Sequence, residues 1–216
     1  MIKTLLEMLG KLIAGASKPV TPPSVPEKLP PATDPAQYRA WLQLEVAKKG
    51  QPPKGYEAIG EAGTKDRKTF CNFFVRSVLK NIFNWAEFEH ENDDQAGEMV
   101  DYMGAHPETW KKLEGIFNYD VKGQVIPKAG PDYETAVKLT SQGCLVIAGW
   151  KNPDYPRTSP TGHVCIVAPE NQLLYSNKWG RPVALAVNVG ASNWYGKGMS
   201  WAFSEKEPSL YLFLGA

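Results

Sequence analysis

The spacing of apolar residues changes character once along this chain, near residue 143. Up to that point apolar side chains recur at helical offsets, and beyond it they form short runs bounded by glycine, asparagine or proline. The first pattern predicts a helix that Asp34 caps and Pro35 opens, and a second helix that begins near Cys71. Two further helices are predicted over about residues 93–103 and 132–142.

The second pattern predicts five short strands. They are expected at Cys144–Trp150, His163–Ala168, Leu173–Ser176, Val183–Val189 and Leu210–Leu214. Helices followed by antiparallel strands indicate an α+β domain, with N-terminal helices packed on a small antiparallel sheet. The strands are expected to follow one another as a meander.

The length of 216 residues suits one domain with appendages. A net charge of +1 gives no electrostatic support for binding nucleic acid, and no nucleic-acid partner is expected. Three cysteines at wide spacing form neither a disulfide framework nor a zinc knuckle, which fits a chain that keeps a thiol free. Phosphate-binding loops and dinucleotide fingerprints are absent, so nucleotide chemistry has no support.

Residues 18–35 hold seven prolines and are predicted to be an extended, semi-rigid linker between residues 1–17 and residues 36–216. Residues 1–17 carry apolar side chains at helical spacing, which predicts an amphipathic N-terminal helix. Glu7 and Lys11 interrupt its apolar stretch, which argues against a cleaved secretory signal. The apolar face could pack on its own domain or on a second copy, or dock on a membrane surface or a protein partner.

Cys71 begins an apolar helical pattern, and this position bears on its reactivity. The free backbone N–H groups and the dipole at a helix N-terminus stabilise a thiolate. Arg67, Lys68 and Arg76 are near it in sequence and would do the same if they approach. Polar Asn72 follows it, where a core position is not expected. The alternative is a buried, inert thiol, since free cysteine is often buried.

His163 follows Gly162 in a strand-like run, where side chains alternate between the two faces. An imidazole on a rigid strand can act as the base for a cysteine nucleophile. Gly162 allows another backbone or a ligand to come close. The alternative is a core histidine whose N–H is satisfied by a carbonyl.

Asn188 ends a face of small residues, Ala184 and Ala186, on a strand expected to neighbour that of His163. Small residues leave room for an imidazole, and an amide oxygen can accept its second N–H. Such a third group holds a catalytic base in one tautomer and orientation. The alternative is a turn residue at the end of the strand, before Gly190.

The other chemistry-bearing residues are weaker candidates. Cys144 and Cys165 lie inside apolar runs and are predicted to be core residues, and His90 and His106 lie in polar, loop-like contexts. Acidic residues cluster between residues 87 and 94 and could hold a cation, but their spacing is not that of an EF-hand or a zinc site. A solvated face is the simpler interpretation of that cluster.

Four strings in this order resemble the papain-like cell-wall amidases, the NlpC/P60 and CHAP families of cysteine peptidases. They are Cys71-Asn-Phe-Phe-Val, Gly143-Cys-Leu-Val-Ile-Ala-Gly-Trp, Gly162-His-Val-Cys-Ile-Val-Ala-Pro and Ala186-Val-Asn-Val-Gly. The resemblance runs from about Thr64 to Leu214 and implies a papain-like catalytic domain over residues 36–216. Members of these families commonly carry an acidic residue where this chain has Cys144.

The resemblance implies a peptidoglycan hydrolase, an amidase or endopeptidase that cuts an amide bond of cell-wall peptides at the bacterial wall. Cys71 would then be the nucleophile, His163 the base and Asn188 the group that orients the base. No metal or cofactor is expected. Two alternatives stay open: a cysteine peptidase acting on a protein, and a catalytically silent binding or structural protein of the same fold.

Overall fold

The computed structural model describes residues 32–52, 54–60, 69–86, 88, 95–121, 124–155 and 161–215. The predicted N-terminal helix and residues 18–31 of the predicted linker lie outside this range. The described helices are α1 Pro35–Val46, α2 Cys71–Phe83, α3 Ala96–Ala105, α4 Tyr133–Thr140 and α5 Ser200–Phe203. The first four were predicted, and the short α5 was not. Among these described helices, none has the length and apolarity needed to span a membrane.

The described strands form two antiparallel sheets. A hairpin of β2 and β3 makes one sheet, and the other holds seven strands in the order β1-β9-β4-β5-β7-β6, with β8 also paired to β7. Their bounds are β1 Trp110–Lys112, β2 Glu114–Val121, β3 Gln124–Pro131, β4 Val146–Lys151, β5 Gly162–Val167, β6 Leu173–Ser176, β7 Arg181–Asn188, β8 Trp194–Gly198 and β9 Ser209–Phe213.

The predicted α+β class and the antiparallel sheet are confirmed, but the predicted meander is wrong. The last strand, β9, lies between β1 and β4, and β7 rather than β6 lies beside β5. Strands β1, β2, β3 and β8 were not predicted. The hairpin leaves a weak pattern because Gly115, Pro127 and Gly130 belong to residue types that are depleted in strands.

The seven-stranded sheet has helices on both faces, and each face buries its own group of apolar side chains. The first face packs against α1, α2 and α3, with Phe74 and Val78 among its fully buried side chains. The second packs against α4 and α5, with Tyr133, Met199 and Phe203 among its buried side chains. We call these the first-face core and the second-face core. Side-chain alternation along β5 and β7 therefore decides which core each residue joins.

The start of α1 is tied to the rest of the domain. Asp34 caps the helix, since its carboxylate accepts the Gln37 backbone N–H at 2.8 Å. One residue earlier, the Thr33 N–H donates to the Gly143 carbonyl at 3.2 Å. Gly143 has a φ of +86°, and a Cβ there would come within 1.8 Å of the Thr33 carbonyl oxygen. Only glycine can occupy this position.

Candidate active site

Cys71 is the first residue of α2, as predicted, and it faces the sheet. The buried residues of this helix recur at helical spacing, with Phe74, Val75 and Val78 on the same face as Cys71. Cys71 itself is only 4% exposed and belongs to the first-face core. Packing of α2 therefore fixes where the sulfur lies.

His163 is the second residue of β5 and is half-buried. Its neighbours in the strand confirm the predicted alternation, because Val164 joins the first-face core and Cys165 the second-face core. The His163 ring lies edge-on to Phe203 of the second-face core, with 5.1 Å between ring centroids. Packing on this side limits how far the imidazole can rotate.

The two residues meet where the pairing of β5 with β7 stops. These strands pair only at Ile166–Val187 and Val167–Ala186, so the first half of β5 has no β7 partner there. Cys71 occupies this opening, and its sulfur accepts a hydrogen bond from the Val164 backbone N–H. The sulfur also hydrogen-bonds to the imidazole of His163. A strand N–H that would otherwise lack a partner thus helps to hold the thiol.

Asn188 completes a chain of hydrogen bonds through the imidazole. His163 Nε2 lies 2.7 Å from Asn188 Oδ1. The Asn188 amide is oriented by its other end, because Nδ2 donates to the Ser192 carbonyl at 2.7 Å. Oδ1 is therefore the acceptor and Nε2 carries the hydrogen, which leaves Nδ1 to face Cys71.

The electrostatics of the pair favour charge separation. Burial by itself would raise the pKa of Cys71, but the His163 imidazolium and the backbone N–H groups of Val164 and Asn72 outweigh it, and the pKa is lowered. Burial would lower the pKa of His163, but the Cys71 thiolate and the Asn188 amide outweigh it, and that pKa is raised. Both shifts stabilise the thiolate–imidazolium form, which is the nucleophilic one.

Two expectations about the surroundings of Cys71 are wrong. Asn72 is buried rather than exposed, at 8%, so its polarity does not mark a solvent-facing turn. Arg76 is not the cation that stabilises the thiolate. It lies over the Phe73 ring at 5.7 Å and lines a cavity of about 600 Å³ between α1 and α2. The cation is His163, and the predicted contributions of Arg67 and Lys68 fall outside the described residues.

Gly190 and Asn193 are the site residues that sequence reasoning missed. A Cβ on Gly190 would come within 3.3 Å of His163 Cε1, so the absence of a side chain at this glycine makes room for the ring. The Gly190 N–H donates to Asn193 Oδ1 at 3.2 Å, and Asn193 Nδ2 donates to the Tyr56 carbonyl at 3.1 Å. Asn193 thus ties the loop after β7 to the segment before α2. The string Asn188-Val-Gly190 was the only sequence feature that pointed to the role of Gly190.

The remaining cysteines and histidines have structural surroundings. Cys144 and Cys165 are fully buried, as predicted, and burial raises the pKa of each thiol. His106 ends α3, stacks on Tyr102 with 3.8 Å between ring centroids, and has Nδ1 2.8 Å from the Tyr102 carbonyl oxygen. His90 and the acidic residues around it lie outside the described residues. Within the described ranges no three His, Cys, Asp or Glu side chains are grouped to hold a metal ion.

Comparison with known proteins finds no matching family model, no matching curated protein and no matching solved structure.

Proposed function

We propose that this protein is a cysteine hydrolase that cleaves an amide bond in the peptides of bacterial peptidoglycan. The observation that carries the catalytic part is the hydrogen-bonded chain from Cys71 through His163 to Asn188. A nucleophile, a base and an orienting amide occur here in one connected unit, on a helix terminus and two strands.

The first half of the reaction is acyl transfer to sulfur. The Cys71 thiolate attacks the amide carbonyl carbon, and the carbonyl π electrons move to oxygen. When the tetrahedral intermediate collapses, the C–N bond breaks and His163 Nδ1–H gives its proton to the leaving amine. The products of this half are a free amine and a thioester on Cys71. Asn188 keeps the proton of Nε2 in place, so that Nδ1 carries the transferable one.

The second half is hydrolysis of the thioester. Neutral His163 takes a proton from water at Nδ1, the hydroxide attacks the thioester carbonyl, and the C–S bond breaks to return the thiolate and a carboxylic acid. Developing negative charge on the carbonyl oxygen needs hydrogen-bond donors. The backbone N–H of Cys71 at the first position of α2 belongs to the N–H groups that have no acceptor within a helix, so we assign it to this oxyanion site.

The proposal of a cell-wall substrate depends on the order of the motifs along the chain. The strings around Cys71, Gly143, His163 and Asn188 resemble the NlpC/P60 and CHAP families, whose papain-like fold places a nucleophile helix against an antiparallel sheet. The contact of α2 with β5 is the corresponding arrangement here, and we propose the papain-like assignment on this basis. Action at the bacterial wall and recognition of a peptidoglycan peptide follow from the same proposal.

Purified sacculi test the proposal directly. We expect the wild-type protein to release soluble fragments that mass spectrometry identifies by a new amine and a new carboxylate at one amide bond. Cys71→Ala should release none, whereas Cys144→Ala, which alters a buried thiol in the second-face core, should match the wild type. If the protein cleaves an unfolded protein but not sacculi, it is a cysteine peptidase that acts on a protein substrate. Cleavage of neither would overturn the proposal.

A further inference from the structure

Three tryptophans and two lysines lie around His163 and Asn188, and we call these five residues the indole surface. Trp150 lies directly opposite His163 in the β4–β5 pairing, and Trp194 lies directly opposite Asn188 in the β7–β8 pairing. Directly paired residues present their side chains on the same face of a sheet, so both indoles flank the catalytic groups. The other members are Trp201, Lys197 and Lys206.

Trp201 and the lysines extend this surface into solvent. Trp201 is 74% exposed, which is unusual for an indole. Lys197 joins it to the sheet, since its Nζ lies 5.6 Å from the Trp194 ring centroid and 5.4 Å from that of Trp201. The Lys206 ammonium lies 5.5 Å from the Trp150 ring centroid. Neither ammonium forms a salt bridge within the described part of the chain.

A short helix couples the indole surface to the base. Helix α5 carries Trp201 on its exposed side and Phe203 on its buried side, and Phe203 contacts the His163 ring. A ligand that packs on Trp201 therefore lies on the same short helix that packs against the imidazole. Trp201 is exposed, whereas Trp150 and Trp194 are partly buried against the second-face core. These indoles, next to two lysines that form no salt bridge within the described residues, suit a ligand that has flat apolar faces and carboxylates.

We infer that the indole surface binds the glycan strand of peptidoglycan, with sugar rings packed on the indoles and the lactyl carboxylates of muramic acid residues that carry no peptide paired with Lys197 and Lys206. This inference rests on the proposed function, which supplies a substrate whose peptide and glycan are covalently joined. A peptide bound at Cys71 then has its attached glycan on the neighbouring surface. A membrane bound to the same indoles would cover the approach to His163, which is why we choose the glycan.

Glycan binding is measurable without turnover in Cys71→Ala. The probe is a soluble strand of alternating N-acetylglucosamine and N-acetylmuramic acid, freed of peptide so that the lactyl carboxylates are exposed. The neutral comparison is a chitin oligosaccharide of equal length, and the measurement is titration calorimetry at low and high salt. Tyr175→Ala is the matched control. Tyr175 is 66% exposed, but it pairs with Pro182, six residues along β7 from Asn188.

We expect Trp201→Ala in the Cys71→Ala background to weaken strand binding about tenfold, as loss of one aromatic contact does. Lys197→Gln should weaken binding of the muramic acid strand and leave that of chitin unchanged, and high salt should reproduce its effect. If both variants bind the strand as well as Tyr175→Ala does, the inference is wrong. Binding of anionic phospholipid vesicles through Trp201, with no binding of strands, would also overturn it.

The two proposals fail in different ways. If glycan binding depends on Trp201 and Lys197 but the protein leaves sacculi intact, the hydrolase proposal is wrong and the glycan-site inference stands. If hydrolysis of sacculi depends on Cys71 but glycan binding does not depend on Trp201 or Lys197, the glycan-site inference is wrong and the hydrolase proposal stands.

Discussion

Gly190 lies opposite His163 when the β5–β7 register is continued from its last pair, Ile166–Val187. The strands no longer pair there, which leaves room for Cys71 to reach His163, and His163 Cε1 lies 3.3 Å from where a Gly190 Cβ would be. The opening in the sheet and the absence of a side chain at Gly190 therefore serve the same ring. A side-chain atom added at this position would meet the His163 ring first.

Gly190→Ala is expected to reduce turnover roughly tenfold, because the added methyl group shifts His163 by a few tenths of an ångström from its contact with Cys71. Kinetics on soluble muropeptides measure this, and thermal unfolding should change little. Gly104→Ala in α3 is the matched control, since its Cβ would lie 3.8 Å from the nearest atom, the Tyr211 hydroxyl. If the two variants are equally active, the lack of a side chain at Gly190 is not needed for the position of His163.

Cys71→Ser is expected to abolish hydrolysis and to keep the fold. A hydroxyl is far less acidic than a thiol, so the imidazole of His163 cannot hold it as an anion. The measurements are fragment release from sacculi and circular dichroism. Near-wild-type turnover in this variant, together with loss of activity in a folded Cys144 or Cys165 variant, would place the nucleophile elsewhere.

The pH dependence of alkylation reports the lowered pKa of Cys71. Below its pKa the thiol is protonated and reacts slowly, so a lowered pKa moves the midpoint of the rate profile below the ordinary value for a free thiol. In His163→Ala burial acts without the opposing cation, and the midpoint should rise above that value. The reagent must be small, since Cys71 is 4% exposed. If His163→Ala leaves the midpoint unchanged, His163 does not lower the pKa of Cys71.

His163 should matter more than Asn188. His163→Ala removes proton transfer and should cost at least roughly 100-fold in turnover. Asn188→Ala removes only the acceptor for Nε2–H and should cost less, and Asn188→Asp should recover part of the loss because a carboxylate also accepts that hydrogen. Equal and negligible losses at both positions would contradict the triad. A large loss at Asn188 alone would require another base.

Truncation separates the predicted linker from the start of the domain. Removal of residues 1–31 should leave the melting transition nearly unchanged, because the described contacts of the domain begin at Thr33. Removal of residues 1–34 deletes the cap of α1 and the Thr33–Gly143 hydrogen bond, and should lower stability by about 1 kcal/mol or more. Both truncated proteins should hydrolyse soluble fragments.

The sequence also predicts an effect of the N-terminal segment on whole cells. An amphipathic helix at residues 1–17 would dock on a membrane surface or a partner, so both truncated proteins should lyse intact cells less well than the full chain. Unimpaired lysis would exclude a targeting role for this segment.

Local pattern was sufficient to predict the elements that hold Cys71, His163 and Asn188. The apolar periodicity after Cys71 specifies which face of α2 is buried, and alternation from Gly162 to Val167 specifies the face of His163. Both signals act over a few neighbouring residues. Asn188 could be proposed because it continues an alternation of small residues along β7.

Long-range pairing was beyond such patterns. Nothing local to Ser209–Phe213 shows that β9 joins β1 to β4, and nothing local to Val164 shows that its β7 neighbour is missing. The roles of Gly190 and Trp194 depend on these pairings, so they appear only once the strands are arranged. The same holds for Asn72, whose burial follows from the packing of α2 on the sheet rather than from its polarity.

Cys71 and His163 belong to different layers of the molecule. Cys71 is part of the first-face core, whereas His163 contacts Phe203 of the second-face core, with the sheet between them. The distance between the Cys71 sulfur and the His163 imidazole therefore depends on how tightly the cores on both faces pack against the sheet. Heating or pressure that loosens either layer will part the thiolate from the imidazole while most backbone hydrogen bonds persist. Catalysis should accordingly fail before unfolding begins, which makes turnover a sensitive gauge of packing across the sheet.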